Sequence, residues 1–390
     1  MKTSCGQIMY SKASRSTILV IGDVRNTVNQ IRYQRVLALA EAYPLYVVTT
    51  SPLPAALREK VCEVHVVGRW LSMLRTCLRL AQRLAADGDL VVHTVYAPRP
   101  MVAGFLCRLL VQCRWIYDLY DHPSLTWSRS GGLRRLLKYG MWRLALSRML
   151  YWADVWVIGM HPGILSHLPV PRRRCRLVLS GGPGIQELPV RETREPTNRQ
   201  MVFCYAGPLE AQRGSRLIAS WARSYDGPPG CLHLMGSEDY RAVDAIESVR
   251  EEAFRRGLRI VRHGWIEHDK VLEILRSGNI GLCAIAPHVL NYRYSYPIKV
   301  VEYMSQGLVP VATDGQGVRT LIRHGETGFV ARYGYESFSR AITEAISACQ
   351  DRDRHKTLLS NMRRNVKHRS WSSLNRNLLL DIETALGTTI

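Results

Sequence analysis

The sequence predicts an α/β protein of two domains, each built on a parallel β-sheet that helices cover on both faces. Its 390 residues exceed one compact domain and suit two domains of about 150–200 residues. Short apolar runs alternate with helix-length segments, which is the pattern of a parallel sheet. The composition shifts to Pro, Arg, Gly and Glu over residues 168–197, and the alternation then restarts.

The first domain is expected to contain six strands and four helices. Short runs rich in β-branched residues predict its strands, at 16–22, 45–50, 61–67, 89–95, 114–118 and 154–158. Longer segments with apolar residues at helical spacing predict its helices, at 30–43, 71–85, 101–112 and 133–151.

The same criteria apply to the second domain. They predict strands at 200–206, 231–235, 258–261, 280–285 and 308–312, and helices at 215–224, 239–256, 270–277, 299–307 and over most of 335–386. We expect a first domain over 1–185, a second over 186–370, and a terminal helix over 371–390 that packs back on the first. The fold class is therefore two Rossmann-like domains facing across a cleft, where ligands collect at the carboxyl ends of the strands.

Composition excludes several classes of protein. Apolar residues make up 46% and charged residues 22%, which is ordinary globular usage and rules out wholesale disorder. No apolar stretch approaches the roughly 20 residues of a membrane span, and residues 1–16 do not resemble a secretory signal. The ten cysteines form no C-x-x-C pair and no grouping with His at zinc spacing, which predicts a protein of the reducing cytoplasm whose thiols serve as small hydrophobic side chains.

The charge is unusual, at a formal +21. Residues 1–190 hold 25 basic and 10 acidic side chains, whereas residues 191–390 hold 28 and 22. A basic first half implies an anionic partner, which could be nucleic acid, an anionic membrane surface or a phosphorylated substrate.

Two glycine turns and one helix in the second half could bind a nucleotide. Gly207 follows a strand, and Arg213 stands just before the next helix, where a cation could hold a diphosphate. Lys299 and Glu302 lie three residues apart on the helix that begins at Pro297, so they share a face. They could bind phosphate and ribose, or they could form an ordinary surface ion pair.

The pattern Pro297-x-Lys-x-x-Glu302-Tyr-Met-x-x-Gly307-x-x-Pro310, followed by Gly325-x-x-Gly328, resembles the donor-site segment of family-4-type glycosyltransferases (glycosyl transferases group 1) of the GT-B fold. The segments around Gly207, Gly236 and Gly264 occur in the order that this family shows. The resemblance covers most of the chain and is most specific over 297–330.

The resemblance implies a glycosyltransferase that takes a sugar from a nucleotide-sugar donor, with no cofactor and no bound metal. It assigns the ribose to Glu302 and the diphosphate to Lys299 and Arg213. It places Gly22, Gly207 and Gly315 in loops near the donor. The first glutamate of the family's E-x7-E motif would fall at Tyr294, so the usual carboxylate beside the sugar is replaced.

On the acceptor side, Asp121 and His122 follow a predicted strand, and their position resembles the family's Asp/His loop beside the reacting carbon. Either side chain could stabilise charge or accept a proton, and Asp121 could instead cap a turn. Retention of configuration is implied by the family alone.

Two basic segments of the first half favour docking on an anionic membrane. One helix carries Arg75, Arg79 and Arg83 on one face, and a second segment mixes bases with an aromatic, at Arg134, Arg135, Lys138 and Trp142. Alternatively these bases simply face water.

Together these observations predict a glycosyltransferase at the cytoplasmic face of the membrane, with a lipid-linked or saccharide acceptor. A nucleotide-sugar epimerase of the same fold and a basic nucleic-acid-binding protein are the alternatives. The sequence shows no known nucleic-acid-binding module, so no nucleic acid partner is expected.

Overall fold

The computed structural model describes residues 16–24, 30–95, 97–120, 140, 144, 148–168, 170–179, 181–182 and 200–387. Contacts divide the chain into two compact units. Unit 1 comprises residues 1–178 and 372–390, and unit 2 comprises Leu179–Trp371. Each unit is an α/β layer structure around a parallel sheet, so the predicted fold class is confirmed.

Unit 1 contains a seven-stranded sheet in the order β3-β2-β1-β4-β5-β6-β7. Its strands are β1 Thr17–Ile21, β2 Leu45–Thr49, β3 Glu63–Val66, β4 Leu90–Val95, β5 Arg114–Leu119, β6 Val155–Ile158 and β7 Cys175–Leu177. Its described helices before the crossover to unit 2 are α1 Gln30–Ala42, α2 Ala55–Arg58, α3 Trp70–Asp87 and α4 Pro98–Leu110. Every neighbouring pair of strands is parallel.

Unit 2 contains a six-stranded parallel sheet in the order β10-β9-β8-β11-β12-β13. Its strands are β8 Met201–Ala206, β9 Gly230–Met235, β10 Leu258–Gly264, β11 Ile280–Cys283, β12 Val309–Thr313 and β13 Phe329–Ala331. Its helices are α5 Ser215–Arg223, α6 Tyr240–Arg255, α7 His268–Ser277, α8 Leu290–Tyr294, α9 Ile298–Gln306, α10 Gln316–Arg319, α11 Tyr335–Gln350 and α12 Arg352–Val366.

The structure adds elements that the sequence pattern did not predict. Strands β7 and β13 are three residues long, which is too short to show a period, and both lie at the edge of a sheet. The terminal helical region is divided at Asp351, whose carboxylate accepts hydrogen bonds from the backbone N–H groups of Asp353 and Arg354. The predicted helix over 133–151 lies mostly outside the described residues.

Interlocked aromatic side chains form much of both cores. In unit 1, Trp115, Tyr117 and Trp156 pack edge to face and are at most 1% exposed. In unit 2, Phe203, Trp221 and Tyr225 pack in the same way.

The last helix, α13 (Trp371–Leu386), joins unit 1 from Ser372 onward although it follows unit 2 in sequence. Asn375 Nδ2 donates a hydrogen bond to Gln34 O at 3.1 Å, and Tyr43 donates to the buried Glu383. Leu378 and Ile382, both 6% exposed, lie on the same face of the helix, whereas Leu380 is 55% exposed. The helix therefore completes the core of unit 1.

We expect Leu378→Ala and Ile382→Ala each to lower the free energy of unfolding of unit 1 by about 2–5 kcal/mol, because each leaves a cavity in a packed core. Amide hydrogen exchange should then rise in the unit 1 strands and stay unchanged in the unit 2 strands. Leu380→Ala on the exposed face is the matched control. Uniform exchange changes in both units would contradict this assignment of α13.

Candidate functional site

Unit 2 gathers its candidate donor residues at the carboxyl edge of its sheet. The strand order reverses between β8 and β11, the position at which ligands bind in doubly wound sheets. Gly207 follows β8, and Gly315 follows β12 at the start of α10. Lys299 and Glu302 lie on α9, which begins after Pro297.

Lys299 is the main electrostatic feature of this edge. Its side chain is 9% exposed, and its ammonium has no hydrogen-bond partner within the described structure. The Nζ atom lies 3.9 Å from the centre of the Tyr205 ring, where a cation–π interaction partly replaces water. Burial, together with the nearby charge of Arg213, lowers the pKa of Lys299 from 10.5 to about 8. An unpaired buried ammonium is a ready site for an anion.

Glycine at position 207 makes room for Lys299. A Cβ atom built on Gly207 would lie 3.0 Å from Lys299 Nζ, and its φ of +125° disfavours other residues. The hydroxyl of the buried Tyr205 donates to Pro208 O at 2.7 Å, which ties the loop to the strand. The backbone of this loop can therefore approach a bound phosphate closely.

Arg213 and Gly214 form the entry to helix α5. Gly214 has the left-handed φ of +87°, and a side chain there would overlap the carbonyl of Ala284 at the end of β11. The Arg213 guanidinium lies 5.5 Å from the Tyr292 ring centre and 3.6 Å from Glu210. The Arg213 guanidinium and the N-terminus of α5 are therefore both held beside the carboxyl end of β11.

Glu302 is also buried, at 7% exposure, and His268 Nε2 lies 3.5 Å from its Oε1 atom. Burial raises the pKa of the Glu302 carboxyl, and His268 and Lys299 oppose that rise. The sequence left open the alternative that Lys299 and Glu302 form an ordinary surface ion pair. Both side chains are buried, so they do not form such a pair. A buried carboxylate can accept two neighbouring hydroxyl groups.

The structure thus brings Lys299, Glu302 and Arg213 into one electrostatic neighbourhood. Gly315 belongs to the same edge, and a Cβ there would lie 3.4 Å from Arg293 O. Gly22 lies in unit 1 at the end of β1, with a φ of +143° and Val95 directly against it. Tyr294, which stands in place of the family's first glutamate, is 7% exposed.

Sequence reasoning gave no role to Tyr205, His268 or Tyr292, because their function depends on neighbours that are distant in sequence. The proposed catalytic residues Asp121 and His122 lie outside the described residues, as do Arg134, Arg135, Lys138 and Trp142. Among the described residues, no three His, Cys, Asp or Glu side chains group as metal ligands.

One family model and several solved structures are similar to this chain. Residues 200–348, which contain all of the unit 2 site, match the family model "Glycosyl transferases group 1". The protein is a nucleotide-sugar-dependent glycosyltransferase, and its residues 200–348 are similar to this group. No curated protein matches the chain at a significant level.

Solved structures share the GT-B fold with this glycosyltransferase over nearly its whole length. A glycosyltransferase from Rickettsia africae is 12% identical with a TM-score of 0.71, covering 96% of this chain and 99% of its own. HepE from Anabaena, solved with UDP, is 15% identical with a TM-score of 0.72, covering 94% and 100%. WaaG, a glycosyltransferase involved in lipopolysaccharide biosynthesis, is 15% identical with a TM-score of 0.65, covering 96% and 99%.

The charge on Lys299 should destabilise the enzyme below pH 8. Because its pKa is depressed from 10.5 to about 8, the unfolded chain binds more protons between these values, and stability rises with pH across that window. Lys299→Met should remove this dependence and raise the free energy of unfolding at pH 7 by up to about 3 kcal/mol.

Urea denaturation of both proteins at pH 7 and pH 9.5 measures the effect. The difference between the two proteins in how their free energy of unfolding changes with pH isolates the contribution of Lys299 from that of other groups that titrate in this range. An equal change with pH in both proteins would show that Lys299 is not buried as a cation.

Proposed function

We propose that the enzyme transfers a sugar from a nucleoside diphosphate sugar to a lipid-linked or saccharide acceptor at the cytoplasmic face of the membrane, with retention of configuration and without a metal. One observation carries the donor assignment: the unpaired, buried ammonium of Lys299 at the switch point of the unit 2 sheet. A diphosphate placed there neutralises the ammonium and meets Arg213 and the N-terminus of α5.

Glu302 supplies the second part of the donor site. It lies one helical turn from Lys299 on α9, so a nucleotide whose diphosphate meets Lys299 can place its ribose hydroxyls on the Glu302 carboxylate. UDP is the first nucleotide to test, because HepE from Anabaena was solved with UDP and with UDP-glucose.

In the proposed front-face route to retention, the acceptor oxygen attacks the anomeric carbon on the face that the diphosphate leaves. The new bond joins the acceptor oxygen to this carbon, the bond from the carbon to the phosphate oxygen breaks, and the acceptor proton passes to the departing diphosphate. The positive charges of Lys299 and Arg213 stabilise that leaving group. Asp121 and His122 stay predicted as the side chains beside the reacting carbon.

Glu302→Ala should abolish sugar transfer and weaken UDP binding by about 10- to 100-fold, because two charge-assisted hydrogen bonds are lost. Titration calorimetry with UDP, GDP and the corresponding nucleotide sugars measures binding and identifies the donor. Glu273→Ala, on an exposed carboxylate that pairs with Lys270, is the control. Full activity of Glu302→Ala would refute the donor assignment.

The acceptor membrane is proposed from the surface of unit 1. Helix α4 packs between α3 and the 3₁₀ turn Leu150–Trp152. This layer exposes large apolar side chains that are between 49% and 66% accessible, namely Leu71, Leu109, Leu110, Tyr151 and Trp152. Apolar and aromatic groups bordered by arginine suit the headgroup region of a membrane.

Helix α3 contributes the exposed Leu71 to this surface and also carries three arginines. Arg75, Arg79 and Arg83 are all exposed, and Arg83 also pairs with Glu63. Arg174 lies against the Tyr151 ring at 5.4 Å and donates to Tyr151 O.

No helix among the described residues combines the length and apolarity needed to cross a bilayer. WaaB, a lipopolysaccharide outer core galactosyltransferase, is 14% identical with a TM-score of 0.64.

Reversal of Arg75, Arg79 and Arg83 to Glu should release the enzyme from vesicles that contain anionic phosphatidylglycerol, because each arginine contributes about 1 kcal/mol near such a surface. Co-sedimentation at low and physiological salt measures this binding. The matched control reverses Arg250, Arg255 and Arg256 in unit 2, which changes the net charge equally. Equal loss in both variants would indicate a general charge effect instead of docking through α3.

A further inference from the structure

The unit 2 sheet opens at its switch point. Strand β8 pairs with β11 only at Phe203 and Cys204, opposite Ile280 and Gly281. Beyond this point β8 remains paired with β9 as far as Ala206, and β11 remains paired with β12 as far as Cys283. The two central strands therefore part before they end, directly below the loop that contains Gly207.

The side chain of Tyr303 fills this opening. Its hydroxyl accepts a hydrogen bond from Ala206 N at 2.9 Å and donates one to Leu282 O at 3.0 Å. These are backbone groups of the two parted strands, and the hydroxyl replaces the ladder bonds they lack. Burial raises the pKa of Tyr303 well above its usual value, so the hydroxyl keeps its proton and both bonds.

Gly281 makes this arrangement sterically possible. Tyr303 is fully buried, and a Cβ on Gly281 would overlap its ring. The ring can therefore lie flat against β11 only because position 281 has no side chain. The arrangement therefore depends on the glycine at position 281 as well as on the two hydrogen bonds of the Tyr303 hydroxyl.

Tyr303 belongs to the same helix, α9, as Lys299 and Glu302. Its bond to Ala206 fixes this helix against the residue that precedes Gly207, and the Lys299 ammonium lies beside Gly207. We propose that Tyr303 is a positioning residue of the donor site: its hydroxyl bridges the parted strands and sets the place of Lys299 and Glu302 relative to the glycine loop. This inference rests on the proposed donor function.

Tyr303→Phe tests the proposal because it removes the hydroxyl and keeps the ring. We expect the Kd for UDP to rise about tenfold, which corresponds to about 1.4 kcal/mol, since the helix and the loop are no longer joined. The matched control is Tyr225→Phe. It removes another hydroxyl of a buried tyrosine in unit 2, one that donates to Pro228 O outside the donor site. Both variants should lose stability, and only Tyr303→Phe should lose UDP affinity.

A second measurement needs no nucleotide. The chain has eight lysines, so acylation of Lys299 can be followed by mass spectrometry as a function of pH. In Tyr303→Phe the labelling midpoint of Lys299 should move up from about 8 toward 10.5, because the freed helix lets water reach the ammonium. Tyr225→Phe should leave this midpoint unchanged.

The two measurements separate the two hypotheses. If the wild-type enzyme binds neither UDP nor another nucleotide, the proposed function fails, and the Lys299 midpoint still decides the role of Tyr303. If Tyr303→Phe leaves both the UDP affinity and the midpoint unchanged while stability falls, Tyr303 is a packing residue and the positioning proposal is overturned.

Discussion

The uncompensated charge of Lys299 is the constraint around which unit 2 is organised. A buried ammonium without a hydrogen-bond partner opposes folding, and the Tyr205 ring offsets only part of that cost. The surrounding structure holds it in place: a helix that begins after Pro297, a loop with no side chain at position 207, and a rigid sheet below. Stability is lost at the position where the proposed diphosphate would supply the missing partner.

The buried charge of unit 1, on Asp118, has a direct partner of opposite charge. Asp118 on β5 is fully buried, and it pairs with Arg35 of α1 and lies 3.4 Å from His93 of β4. Burial alone would raise the pKa of Asp118, but Arg35 and His93 bring it down to about 2. Tyr120 donates to the same carboxylate at 2.6 Å. The charges of this network are paired with one another, although Arg35 Nε and His93 Nδ1 have no hydrogen-bond partner within the described structure.

The contrast distinguishes scaffold from site. In unit 1 the buried arginine has its carboxylate, so the charges hold strands and helix together. In unit 2 the pKa of Lys299 is lowered by burial and that of Glu302 is raised by burial, and Lys299 makes no hydrogen bond to Glu302 within the described structure. Charges left in this state are available to a ligand, and they mark this part of unit 2 as a candidate donor site.

The sequence by itself determined the alternation of strands and helices and the two Rossmann-like sheets, and it singled out the segment around Lys299 and Glu302 as the candidate donor site. These follow from local periodicity and from residue types at short, fixed spacings. Both are properties of the sequence before the chain folds. The edge strands at 175–177 and 329–331 were missed because three residues carry no period.

Tertiary structure alone decided what surrounds those residues. Three contacts illustrate this: Lys299 on the Tyr205 ring, His268 beside Glu302, and the Tyr303 bridge to Ala206 and Leu282. Each joins residues that are between 21 and 97 positions apart in sequence. The return of α13 to unit 1 joins residues 341 apart. Such contacts depend on strand order and helix packing, which no local pattern encodes, and they convert an i, i+3 pair into a buried site.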